Sequence, residues 1–115
     1  MLSFSRQQNY YFYPHPTDMR KQFDGLSGLV NEHFEQDIFA GDVFIFINRR
    51  RDRIKLLMWD SSGFAMYYKR LERGTFEWPT ADKTAESWSW SDLIMLLEGI
   101  ELKSIKKRKT YRRTG

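Results

Sequence analysis

The sequence predicts an α+β fold: an antiparallel β-meander packed against an N-terminal amphipathic helix, followed by a short C-terminal helix and a basic C-terminal tail. Three observations carry this expectation. Val43–Ile47, Ile54–Trp59 and Phe64–Tyr68 are short runs of β-branched and aromatic residues separated by turn residues, which is the pattern of strands. Met19, Phe23, Leu26, Val30 and Phe34 recur at helical spacing, with Leu29 beside them. Beyond Leu102 the chain carries seven basic residues and no acidic one.

The meander fixes its own register. With Arg49–Asp52 as the first loop, Asn48 faces Arg53. Side chains alternate along a strand, so Val43, Ile45 and Ile47 then share a face with Met58, Leu56 and Ile54. A two-residue turn at Ser61-Ser62 adds Ala65 and Tyr67 to this inner face. The outer face holds Phe44, Phe46, Leu57, Trp59, Phe64, Met66 and Tyr68, with Lys55 among them. It is too apolar to be simply solvated, so a second layer or a partner covers it. Packing against the N-terminal strand and C-terminal helix is the commoner explanation, and the inner face is expected against the first helix. Aromatics on a sheet can also stack on bases, but the signatures of the RNA-binding sheet fold are absent.

The remaining elements follow in order. Tyr10–Tyr13 reads as a strand, ended by Pro14-His15-Pro16 and suited to a sheet edge. Thr17 is a helix N-cap candidate with Asp18 in the first turn, giving an expected helix from Asp18 to Glu35. Gly25 and Gly28 each cost ~1 kcal/mol of helix propensity relative to alanine, which close packing of the helix on the sheet would explain. Ala40-Gly41-Asp42 turns into the meander. Gly74 suits a tight turn or bulge. Thr80–Lys83 reads as a polar loop and Ser87–Trp90 as a short strand or loop. Ser91 would cap a helix over Asp92–Glu98, with Gly99 ending it.

At 115 residues the chain is the size of one domain. Residues 1–102 are expected to form it and 103–115 a disordered basic tail. Aromatic residues make up 17% of the chain, far from a disordered composition. There is no cysteine, which excludes disulfides and thiolate metal sites and suits a reducing compartment. No stretch approaches the ~20 apolar residues of a membrane span, and the first residues lack the pattern of a signal peptide, so a cytoplasmic protein is expected. The net charge of +4 is uneven: outside the tail, 12 of the 19 basic residues face all 15 acidic ones.

No catalytic constellation stands out, and the chain is expected not to be an enzyme and to need no cofactor. His15 and His33 belong to no metal-binding motif. Asp18 with Asp24, and Asp52 with Asp60, could be imagined as carboxylate pairs. Supporting a helix start, offsetting arginines and bonding a turn account for these residues as well. The Ser61-Ser62-Gly63 stretch is adequately a hairpin turn.

Binding residues are more visible. The first hairpin tip carries Arg49, Arg50, Arg51 and Arg53, with Lys55 just beyond. Charge at a hairpin tip keeps edges soluble, but guanidinium forks also match phosphate oxygens, and a β-ribbon fits the major groove. In the tail, Lys106, Lys107, Arg108, Lys109, Arg112 and Arg113 would add a salt-sensitive affinity for polyanions. A second candidate surface, for a protein partner, is the segment carrying Lys69, Arg70, Glu72, Arg73, Phe76 and Trp78.

Four ordered blocks carry a resemblance. They are Thr17-Asp18-Met19-Arg20-Lys21 with Phe23-Asp24-Gly25-Leu26; Arg49-Arg50-Arg51-Asp52-Arg53-Ile54-Lys55 through Trp59-Asp60; Lys69-Arg70-Leu71-Glu72-Arg73-Gly74 with Phe76 and Trp78-Pro79; and Leu96-Leu97-Glu98-Gly99-Ile100. Over about residues 12–101 the chain resembles the TnpB accessory proteins of bacterial insertion sequences of the sixty-six type. These are encoded beside a DDE transposase and are distinct from the RNA-guided nuclease of the same name. The resemblance implies an accessory role in DNA transposition and supplies no catalytic residues. Gln22 stands where many members have a small residue. DNA at the element ends and the transposase are the implied partners. Two roles stay open: a DNA-binding factor acting through the arginines and the tail, and an adaptor docking the transposase without touching DNA. A homo-oligomer through an exposed strand edge is a further partner reading.

Overall fold

A computed structural model describes residues 4–84 and 87–99. Its centre is a four-stranded sheet in the order β1-β2-β3-β4, formed by Tyr10–Phe12, Val43–Ile47, Arg53–Trp59 and Phe64–Arg70. The meander has the register expected from alternation. Val43, Ile45 and Ile47 lie opposite Met58, Leu56 and Ile54, and Met58 and Leu56 lie opposite Ala65 and Tyr67. The Asn48 N–H donates to the Arg53 carbonyl at 3.2 Å, closing the first loop, and the Asp60 N–H donates to Gly63 at 2.9 Å, closing the second.

β1 is an edge strand, but it runs parallel to β2, pairing Tyr10 with Val43 and Phe12 with Ile45. The sheet is therefore mixed. Parallel neighbours need a crossover, so the chain between β1 and β2 must pass over one face of the sheet. It does so through helix α1 (Phe23–His33) and a 3-10 turn at Ile38–Ala40. On the far side of β1, Trp88 forms a single antiparallel bridge with Tyr10, its N–H reaching the Tyr10 carbonyl at 2.7 Å.

Both faces are covered, and the covers are exchanged relative to the sequence expectation. Leu26 and Val30 of α1 and Ile38 of the 3-10 turn pack with Phe44, Phe46 and Leu57, the expected outer face. The inner face packs instead against Phe76, Trp88 and the Leu93 and Leu96 side chains of helix α3 (Trp90–Glu98). The sheet is a middle layer between two helical ones. Each fully buried Leu, Ile or Phe contributes roughly 1.5–3 kcal/mol, so neither layer is dispensable.

Three helical elements differ from the sequence reading. α1 begins at Phe23 rather than Asp18. Thr17 does not cap it: Thr17 is buried, its N–H donates to Ile47 and its hydroxyl to His15. The Asp18 carboxylate accepts the Arg20 N–H at 2.9 Å, making a turn where a helix was expected. Helix α3 starts at Trp90, capped by Ser89 rather than Ser91. Ser89 and Asp92 satisfy each other reciprocally, at 3.1 and 3.0 Å, which Ser91 has no acidic partner to do. The polar stretch after Pro79 winds into one short turn of helix, α2 (Ala81–Thr84). The glycines of α1 also need another account. A Cβ at Gly25 would meet the Lys21 side chain at 3.1 Å, and one at Gly28 would meet nothing within 4 Å, so neither marks close approach to the sheet. The basic stretch 103–115, with its expected disorder and its six candidate contacts, lies outside the described residues.

Candidate functional site: the arginine end of the sheet

The Arg49–Arg53 tip is a built loop. Asn48 holds it from inside: its side-chain oxygen accepts the N–H groups of Asp52 (3.1 Å) and Arg53 (3.0 Å), and its amide donates to the Asp52 carboxylate at 2.8 Å. Arg51 sits in the left-handed region at φ 61°, a conformation that costs a non-glycine residue roughly 1–2 kcal/mol. The turn thereby throws Arg49, Arg50 and Arg51 into solvent, and none of the three has a side-chain partner among the described residues.

The segment after β4 is fastened to the same tip. The Leu71 N–H donates to the Asp52 carbonyl at 2.8 Å, and the Phe76 N–H donates to the Arg51 carbonyl at 2.6 Å. Between them Gly74 turns the chain at φ 76°. Register adds a further convergence, because Arg53 of β3 lies directly opposite Arg70 of β4. Two surfaces separate in the sequence are therefore one surface in the fold, with Arg49, Arg50, Arg51, Arg53, Arg70 and Arg73 at the same end of the sheet.

Like charges directly across a strand pair are destabilising. Here Arg53 donates to the Tyr68 hydroxyl at 3.3 Å, and Arg70 makes an exposed ion pair with Glu72 at 3.1 Å. These four residues line a shallow cleft. Tyr68, a residue that sequence reasoning left on the outer face without a role, stands 49% exposed in its wall. Asp52, Glu72 and Glu77 against six arginines leave this end cationic. An anion seated between Arg53 and Arg70 would relieve their repulsion, and guanidinium pairs suit phosphate oxygens.

Four sequence candidates are placed away from this surface. Lys55 is 1% exposed, on the α1 side of the sheet. Its ammonium donates to the carbonyls of Met19 (2.8 Å) and Lys21 (2.7 Å) and lies 4.7 Å from the Tyr68 ring centroid. Burial pushes its pKa down, and the charge of Asp18 pulls it part of the way back. Lys55 thus fixes the turn before α1 by holding carbonyls that an earlier helix start would use, and it is not placed to meet DNA. Phe76 is fully buried in the core, and Trp78 packs edge-on against Phe12 at 5.1 Å. Phe76 therefore belongs to the core, and Trp78 is half-buried at its margin. Lys69 turns away as well, donating to the Leu97 carbonyl of α3 at 3.3 Å. The signal for Asn48 was present in the sequence: an asparagine between a strand and a charged turn is the residue that bonds its own loop.

The other titratable groups are engaged locally. Asp18 is held at a pKa of about 2 by its hydrogen bonds to Arg20. Burial works against the charge of Asp92, yet the Lys83 ammonium at 2.8 Å and the Ser89 N–H keep its carboxyl below the usual value. Asp52 and Asp60 flank β3 at opposite ends and form no pair. His15 and His33 lie 5.8 Å apart, both against Tyr13. Among the described residues no three His, Asp or Glu side chains are grouped to hold a metal, and no helix is long and apolar enough to cross a membrane.

Comparison with known proteins adds a family. Residues 8–107 match the family described as IS66 Orf2 like protein. Two proteins of Sinorhizobium fredii (strain NBRC 101917 / NGR234) are similar over most of their length. The uncharacterized protein y4jC is 32% identical over 99 residues, covering 86% of this chain and 85% of that one. The uncharacterized protein y4hO is 36% identical over 85 residues, covering 74% of each. No solved structure matches.

Proposed function

From the premise that this chain belongs to the IS66 Orf2-like family, and so to the proteins associated with transposition of an insertion sequence, we propose that it is a non-enzymatic accessory factor that binds the DNA backbone through its arginine end. The observation that supports this reading most is the joining of the Arg49–Arg51 tip to the Arg70–Arg73 segment, with Arg53 facing Arg70 across the strand pair. Phosphate is the ligand that such a cluster suits. The exposed tip would enter a groove while Arg53 and Arg70 meet a flanking phosphate. The tail residues Lys106, Lys107, Arg108, Lys109, Arg112 and Arg113 would add a nonspecific, salt-sensitive contribution.

The test is fluorescence anisotropy with an element-end duplex and a scrambled duplex across a salt series. Replacing Arg49, Arg50 and Arg51 together by alanine is expected to weaken binding and to flatten the salt slope by about 0.9 for each phosphate no longer neutralised. Unchanged affinity and slope would remove the tip from the interface. The adaptor reading, in which the transposase is docked without touching DNA, would rest on the exposed Arg70, Glu72 and Arg73, since Phe76 is buried and Trp78 is half-buried against Phe12.

A further inference from the structure

The opposite end of the sheet has a different chemistry. There Phe39, in the 3-10 turn between α1 and β2, is 57% exposed. Its position is fixed: the Asp37 carboxylate accepts the Phe39 N–H at 2.9 Å, and Gly41 closes the turn at φ 93°. The ring lies edge-on to Trp59 at 4.9 Å and 6.0 Å from Phe64, and Trp59 and Phe64 meet edge-on at 5.0 Å. A phenylalanine held out by a capped turn, over two half-buried aromatics, is the form of a docking anchor rather than of a core residue.

The surroundings say what kind of occupant fits. Asp37 and Asp42 flank the Phe39 turn, and Asp60 follows Trp59. Neither 34–48 nor 56–68 contains a lysine or arginine. Partial burial does most to raise the Asp42 carboxyl, a hydrogen bond to Asn9 opposes it, and the charge of Asp37 adds to the rise, so a cation placed here would be favourable to both carboxylates. Nucleic acid is disfavoured by the same charges.

We propose that the Phe39–Trp59–Phe64 corner docks a protein segment that is basic with an apolar anchor. One leucine or aromatic side chain would sit on the three rings, while flanking lysines or arginines meet Asp37, Asp42 and Asp60. This surface is separate from the arginine end, so the chain would hold DNA at one end and a basic protein segment at the other. The inference does not depend on the DNA reading and can fail without it.

The test uses the full chain and three short synthetic peptides: leucines interspersed with lysine and arginine, the same peptide with glutamate replacing the basic residues, and a basic peptide without leucine. Amide NMR spectra should show shifts at residues 37–42 and 59–64 with the first peptide only. Phe39→Ser should weaken its binding about tenfold or more. The unfolding midpoint should change little, because most of that ring is exposed. Asp60→Asn should reduce the salt dependence. Equal binding of the glutamate peptide, shifts elsewhere, unchanged affinity in Phe39→Ser, or no binding up to millimolar peptide would each overturn the proposal. Self-association of the full chain in ultracentrifugation, abolished by Phe39→Ser, would identify a second copy as the occupant and overturn it too.

Discussion

The two ends of the sheet are built from the same three strands and solve opposite problems. At one end the fold holds arginines outward, using Asn48 as an internal brace and the 71–76 segment as an external one. At the other it holds a phenylalanine outward, using a capped 3-10 turn over Trp59 and Phe64. The seven residues of β3 span the distance between them, about 20 Å at ordinary strand rise. Both ends carry an element that folding alone does not call for: guanidinium groups facing each other across a ladder, and an apolar ring in water. Neither is left to a loose loop. Backbone hydrogen bonds and left-handed residues present both groups, and the length of β3 separates them, so each is expected to be perturbable without disturbing the other.

That separation can be broken from either side. The largest effect is expected for Asn48→Ala. It removes three side-chain hydrogen bonds and leaves two N–H groups of the tip without their acceptor, costing about 1–3 kcal/mol in urea unfolding. DNA affinity should fall with it, while the amide shifts of residues 37–42 stay in place. Gly41→Ala attacks the other end. A Cβ there meets only the Trp59 carbonyl, at 3.9 Å, so the cost is the positive φ, roughly 1–2 kcal/mol, with DNA affinity retained. The smallest effect is a control away from both ends. At Gly28, Cβ meets nothing within 4 Å, so Gly28→Ala should stabilise by up to about 1 kcal/mol in the same assay and change neither interface. A substantial fall in DNA binding in Gly41→Ala at a temperature where it is folded would show that the two ends are coupled.

The strands and their register were legible because the signal is local. Alternation with period 2, interrupted at Asn48–Arg53 and Ser61-Ser62, admits one pairing that keeps Val43, Ile45, Ile47, Ile54, Leu56 and Met58 on one face. The arginine tip was legible for the same reason. Its union with Arg70 and Arg73 was not, because it depends on where the chain goes after β4 and on two backbone hydrogen bonds that leave no trace in composition. The aromatic corner was missed because Phe39 lies outside the strands in a turn whose packing on Trp59 is long-range. Lys55 misled for a related reason: a lysine beside four arginines reads as part of a basic patch until the carbonyls of Met19 and Lys21 are found around its ammonium.

The sequence by itself determined the meander, its register, the charged tip and the family, since each rests on residues near one another in the chain or on blocks in order. The tertiary structure alone decided which helix covers which face. Both faces of the sheet are apolar, so hydrophobicity could not choose between them. The choice came from β1 joining the sheet parallel to β2, which obliges the connection carrying α1 to cross one face and leaves the other for Phe76, Trp88 and α3.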